Sequence, residues 1–319
     1  MENTAVGQPM RRPRFRRASE PPAFRLTDGD VEIVRQLARF RFLRSTHIAA
    51  LVNRSVDRTN DRLLRLFHAG YIDRPRAQLD YYPTEGSAPI TYALADRGAR
   101  LLRERSDIRV SNPEVSRKNR EAHRPFIEHQ IEIVNFQVAL QRAVAQRSDV
   151  RLIYAEDMNS AASRQPMQAS RAPFSLRAKL AHRGAVREIG VVPDLVFGLE
   201  RATGERRNFM VEIDRGTMPI SRANSAQTSF EKKMRAYLAA HAAKQHERQF
   251  GWKNFRVLTV TIGQERMQSM KEALRGLRVP RSLGASLFLF STFDDLRAGD
   301  PLSHAWIDGI GRHARLMSV

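Results

Sequence analysis

The chain has 319 residues, 42% of them hydrophobic, a length and composition that suit two domains with real cores. Its 54 Lys and Arg against 34 Asp and Glu give a formal charge of +20, which points to a polyanion and first of all to nucleic acid. There is no cysteine, so disulfides and cysteine-based zinc sites are excluded and a cytoplasmic, reducing setting fits; no apolar run approaches the roughly 18 to 20 residues that span a bilayer.

Residues 1–24 read as a disordered basic arm. The stretch has arginines but no apolar core, so it is not a signal peptide. Arg11, Arg12 and Arg14 suit a phosphate backbone or a minor groove; a plain flexible tail is the alternative.

Residues 25–106 predict helix, helix, helix, hairpin, helix. Thr27 and Asp30 approximate a capping box, and Ile33, Val34 and Leu37 follow at helical spacing. STHIAALV predicts a short second helix. The third, SVDRTNDRLLRLFHAG, has Leu63, Leu66 and Phe67 inward and Gly70 as its stop. Its front carries Arg58, Thr59, Asn60 and Arg62, the polar, basic start that a recognition helix needs to reach base edges. Two β-rich runs around a Pro/Gly/Ser turn form a wing, with Arg74 and Arg76 at its base for phosphates. The module therefore looks like a winged helix-turn-helix. His47 and His68 need no special role.

A polar stretch, 107–120, reads as a linker to a second domain over 121–293. That domain opens with a long helix whose buried stripe is Ile127, Ile131, Val134 and Val138. Strands VRLIYAED, VVPDLVFGLE and NFMVEIDRGT follow, then a helix from SFEKK, a strand FRVLTVTI, another helix and a strand SLFLFST. The order implies an α/β fold with a central mixed sheet flanked by helices. Residues 294–319 read as a loop-like extension packed by Trp306.

Glu212 and Asp214 share one face of their strand, and Asp194 opens the strand beside it. Three converging carboxylates need a divalent cation, a basic side chain or protonation to offset their repulsion. The arrangement resembles the PD-(D/E)xK nuclease fold, with Asp194, Glu212 and Asp214 as ligands to Mg²⁺ or Mn²⁺. The x-K position of that pattern is Asp214 here, and Lys233 on the next helix could lean toward the carboxylates instead, as a migrated catalytic lysine or a structural counter-ion. Arg215 is a second counter-ion candidate, and His129 with Glu128 or Glu132 a further ligand candidate. A solvated acidic strand end is the plain alternative. No phosphate-binding glycine loop is present, which argues against a nucleotide-driven motor.

The helix beginning LTDGDVEIVRQLARF, then VPDLVF, FMVEIDRGT and FEKKMRAYL, resembles the replication-relaxation proteins of bacterial plasmids and integrated mobile elements over roughly residues 26 to 292. The specific part is E-x-D-x-G-T followed by K-x-x-x-Y. The resemblance implies a factor that binds double-stranded DNA in plasmid replication, DNA relaxation or control of the element. A homodimer on a pseudo-palindrome and other replication or mobilisation proteins are the expected partners, and no membrane is. A metal-dependent nickase or endonuclease using Asp194, Glu212, Asp214 and Lys233, and a repressor of the element, are the alternatives.

Overall fold

The computed structural model describes residues 14–21, 23–79, 88–105, 115–162, 172–182, 185–222, 228–277, 283 and 286–317. Arg11 and Arg12 lie outside them. The chain divides into two compact units, Met1–Val138 and Ala139–Val319.

The first unit runs α1 (Asp28–Phe40), β1 (Phe42–Arg44), α2 (Ser45–Leu51), α3 (Val56–His68), β2 (Ile72–Asp73), β3 (Thr91–Leu94) and α4 (Asp96–Glu104). Thr27 and Asp30 form the reciprocal cap of α1. Ser55 caps α3 by accepting from the Arg58 amide. The three strands pair antiparallel in the order β1-β3-β2. β1 is an addition to the sequence reading. It closes the sheet by pairing Phe42 with Ala93 and Leu43 with Tyr92. Ile33, Leu37, Leu43, Ile48, Leu63, Leu66 and Leu102 are all fully buried in the core between helices and sheet.

The division between the units falls inside α6 (Arg124–Ala145), which follows the short α5 (Val115–Arg120). Sequence position after the polar stretch 107–120 assigns this helix wholly to the second domain. Its first half instead packs within the first unit: Ile127 and Ile131 meet Phe42 and Ala93, and Val134 and Val138 join the main core. The apolar stripe was legible, but a stripe does not say which partner it covers.

The basic arm is shorter than expected. Arg17 donates to the carbonyls of Phe67 (2.8 Å) and Ile72 (3.1 Å), lies over the Phe67 ring and pairs with Asp73. The Ala18 amide donates to His68 Nδ1 at 3.0 Å, so His68 holds this segment in place. Residues 14–21 are thus part of the folded unit.

The second unit is built on a seven-stranded mixed sheet, order β12-β11-β10-β9-β8-β7-β4. Its strands are β4 (Val150–Tyr154), β7 (Leu195–Arg201), β8 (Arg206–Ile213), β9 (Arg256–Thr261), β10 (Phe288–Thr292), β11 (Trp306–Asp308) and β12 (His313–Ala314). β8, β9 and β10 run parallel; the other neighbours are antiparallel. Helices α7 (Ala155–Ala162), α8 (Phe230–Ala242), α9 (Gln245–Phe250), α10 (Gln264–Gly276) and α11 (Phe293–Ala298) intersperse the strands. Phe230, Met234, Tyr237 and Leu238 of α8 are buried in the main core with Met210, Val257, Phe288 and Phe290 from the sheet. The α/β class and mixed sheet agree with the sequence.

Three local expectations change. Glu156 and Asp157 open α7 and do not end a strand. The basic stretch between VRLIYAED and VVPDLVFGLE, which shows no strand to sequence reading, holds a β-hairpin, β5 (Leu176–His182) against β6 (Ala185–Val191). The loop-like tail supplies α11, β11 and β12, with Trp306 fully buried and its Nε1 donating to the Pro301 carbonyl at 3.0 Å. Among the described residues no helix is long and apolar enough to cross a membrane.

Candidate functional site

In the first unit the capped start of α3 forms an open basic concavity of about 710 Å³, lined by Asn53, Arg54, Ser55, Arg58, Asp61, Arg62 and Arg65. Arg54, Arg58, Asn60 and Arg65 are exposed. Asp61 is the acid in the lining and lies 3.6 Å from Arg65.

Two residues assigned to the base-facing front sit elsewhere. Thr59 is fully buried, because the spacing 59, 63, 66 places it on the same inward stripe as Leu63 and Leu66. Arg62 turns inward to the carboxylate of Asp30, which is itself 0% exposed. Its Nε donates to Asp30 at 2.8 Å, a second nitrogen closes a forked pair, and its guanidinium lies over the Phe24 ring. Burial alone would raise the Asp30 pKa, but the bonds from Arg62 and Thr27 outweigh it and hold Asp30 below its ordinary value; Asp30 in turn holds Arg62 above its own. Arg62 is thus the counter-ion of a buried acid.

Arg74, assigned to phosphates, is 8% exposed. It stacks over Phe67 and Tyr92 and donates to the Arg14 carbonyl at 2.6 Å. Arg76 and the Arg14 side chain are exposed. Arg54 and Arg65 were missed by sequence reading. Arg54 lies just before the Ser55 cap and Arg65 nearly three turns after it, outside the short window a recognition helix suggests.

In the second unit Glu212, near the end of β8, is 2% exposed. Its carboxylate accepts from Lys233 Nζ at 2.5 Å and from Tyr237 Oη at 2.6 Å. Lys233 and Tyr237 are four apart on α8 and share a face, which gives the K-x-x-x-Y spacing a physical meaning. Burial pushes Glu212 up to about 7, with the Lys233 charge pulling it part of the way back. Lys233 stands above its ordinary value because the attraction of Glu212 and Asp194 exceeds the cost of burial. Burial and the Glu212 charge push the Tyr237 phenol well up.

Asp214 is held separately. It accepts from Arg266 Nε (2.5 Å) and Nη2 (2.8 Å) and from Thr261 Oγ1 (2.7 Å). Arg266 sits in the first turns of α10, and this link between residues far apart in the chain left no mark in local spacing. Gly216, at φ +76, turns the chain after Asp214; a Cβ there would stand 2.7 Å from Ile262 Cδ1. Asp194 accepts from the Ile213 amide at 2.8 Å, so it braces the strand carrying Glu212 and Asp214. Glu128 and Glu132 are engaged on their own helix, with Arg124 at 2.7 Å and Asn135 at 2.9 Å.

These oxygens do not fit a divalent cation as arranged. Mg²⁺ or Mn²⁺ needs several carboxylate oxygens facing one point. Both oxygens of Glu212 and both of Asp214 accept from protein donors, and Asp194 gives one of its own to a backbone amide. Among the described residues no three His, Cys, Asp or Glu side chains are placed to hold a metal. The structure thus brings Asp194 beside Glu212 and Lys233 at the end of β8 and gives Asp214 partners of its own, Arg266 and Thr261.

No curated protein and no solved structure matches the chain. The family model described as replication-relaxation matches residues 34–253, about two thirds of the sequence and a span holding α3, Glu212, Asp214 and the Lys233–Tyr237 pair. The chain belongs to the replication-relaxation family.

Proposed function

We propose that the protein binds double-stranded DNA through its first unit, as a winged helix-turn-helix, and acts in replication or relaxation of a plasmid or other mobile element. The observation that carries this reading is the arginine-lined concavity at the start of α3. Arg58 and Asn60 supply hydrogen-bonding groups for base edges, and Arg54, Arg65 and Arg76 for phosphates. Family membership and the charge of +20 support the same reading. The second unit keeps a nuclease-like strand end whose acids are neutralised by Lys233 and Arg266, which supports a silent scaffold.

The test is a fluorescence-anisotropy titration of cognate and scrambled duplexes with Arg58→Ala/Asn60→Ala. Each base-edge contact contributes about 1–3 kcal/mol of discrimination. The double variant is expected to lose at least about tenfold in the cognate-to-scrambled ratio. An unchanged ratio would remove α3 from sequence reading. Arg62→Ala is unsuited to this purpose, since it breaks a buried ion pair. A footprint at an origin supports the replication role; one confined to a promoter supports a repressor.

The enzymatic alternative, a nickase using Asp194, Glu212, Asp214 and Lys233, has its own test. Supercoiled plasmid is incubated with the protein and Mg²⁺ or Mn²⁺, beside EDTA and Glu212→Gln controls. Intact plasmid, shifted equally by both proteins, is the expected result. Metal-dependent nicking lost in the variant would establish an active site.

A further inference from the structure

β8 carries opposite charges at its two ends. Glu212 and Asp214 lie at its finish; Arg206 and Arg207 lie at its start, about 20 Å away at roughly 3.3 Å per residue. Around that start the second unit has a cavity of about 1040 Å³. Arg206, Arg207, Lys253 and Arg256 line it, with Glu205 as the acid among the lining residues. Glu205 is already engaged by Arg207 at 2.9 Å. Among the described residues Arg206, Lys253 and Arg256 make no ion pair.

Two details show a surplus of unmet positive charge. Arg206 is oriented through Nε, which donates to Asn208 Oδ1 at 3.1 Å, while its Nη2 is buried with no hydrogen-bond partner. A buried donor left unmade is costly, and a ligand oxygen would satisfy it. On the other face of the sheet from Arg206, burial and the charge of Arg207 hold Arg256 below its ordinary value against the opposing pull of Asp308, so the guanidiniums of Arg207 and Arg256 repel. An anion between them would relieve both.

The walls say which anion. Phe250, Trp252 and Phe255 line the cavity but are 5%, 5% and 3% exposed and packed on neighbouring rings, so they offer no open face for a base. Gly204 and Gly251, at φ +83 and +66, stand in the lining with open space where side chains would be. The cavity offers charge without base recognition, and no phosphate loop for a mononucleotide accompanies it.

We propose that this cavity is a second nucleic-acid contact, a sequence-independent site for the phosphodiester backbone of a strand, carried by Arg206, Arg207, Lys253 and Arg256. It rests on the reading of the chain as a DNA-binding protein and gives that binding a component distinct from α3.

The test compares the full chain with Lys253→Gln/Arg256→Gln on a scrambled duplex, by anisotropy across a salt series. Each lost phosphate contact lowers the slope of log affinity against log salt by about 0.9. The variant is expected to lower the slope by about 1.8 while keeping the cognate-to-scrambled ratio. Lys253→Glu, a charge reversal at an exposed position, is expected to weaken scrambled-duplex binding several-fold with an unchanged melting temperature. An unchanged slope in the first variant and unchanged affinity in the second would overturn the site. So would pyrophosphate competing with the duplex in the parent protein but not in the variants while the salt slopes stay equal, since the cavity would then take free polyphosphate. A changed cognate ratio in Arg58→Ala/Asn60→Ala with no change in the cavity variants would retain the α3 reading and remove this one.

Discussion

Arg62→Met is expected to destabilise the first unit by about 3–5 kcal/mol, the usual cost of removing one partner from a buried ion pair. In a unit of this size that lowers its thermal midpoint by roughly 10 °C or more. The cause is Asp30, which has no exposed surface and would keep only its Thr27 bonds. The pH dependence identifies the mechanism. In the parent, Asp30 is depressed below 3.8, so its contribution is present above that pH and is lost as pH falls through its lower folded value. In the variant the carboxylate is buried without its cation, its pKa rises, and acidification relieves it. The gap between variant and parent should therefore shrink toward pH 4. Arg62→Met/Asp30→Asn should recover much of the loss. Equal melting temperatures for parent and Arg62→Met at pH 7 would show that the pair does not support the fold. Weak DNA binding by an Arg62 variant consequently says nothing about bases.

The second large effect lies at Glu212. Its folded pKa of about 7 exceeds the ordinary carboxyl value of 4.5, so the folded state holds the proton more tightly than the unfolded chain. The corresponding stability is complete below about 4.5, declines as pH rises to about 7, and is flat above. At about 1.4 kcal/mol per unit the decline is on the order of 3 kcal/mol. Glu212→Gln should abolish it. Lys233→Met should move the falling limb above pH 7, because the cation that restrains the carboxyl is gone, and should cost most at alkaline pH. Chemical denaturation of parent and both variants from pH 4 to 9 reads all three curves. A parent curve without decline between 4.5 and 7 would refute the buried, proton-holding Glu212.

Much of the fold was legible. The cap at Thr27, the stripe through Leu63, Leu66 and Phe67, and the alternating run ending in Glu212 each state a local period, and the structure follows them. Lys233 was reachable by counting helical angle from Phe230, and it does meet Glu212. What was not legible depends on distant partners. Nothing near Asp214 announces Arg266, and nothing near Arg62 announces the buried Asp30. Thr59 was misplaced because a polar residue on an inner stripe looks like part of the polar front. The hairpin over 176–191 was hidden because Arg177 and Lys179 alternate with Leu176, Ala178 and Leu180, a half-polar strand that resembles a basic insert. β11 and β12, three and two residues long, are too short to show a period.

The family match stops at residue 253, but the sheet does not. β9 and β10 follow that point and hold Leu258, Val260, Phe288 and Phe290, each at most 1% exposed. In a protein shortened to the matched segment the sheet would end on β8, apolar through Phe209, Met210 and Val211, with its hydrogen-bonding edge bare. Such an edge recruits other copies of itself. The 66 residues after the matched segment therefore act as solubility insurance: they finish the sheet with a two-residue strand too short to template growth, and expression trials that trim them should yield aggregates.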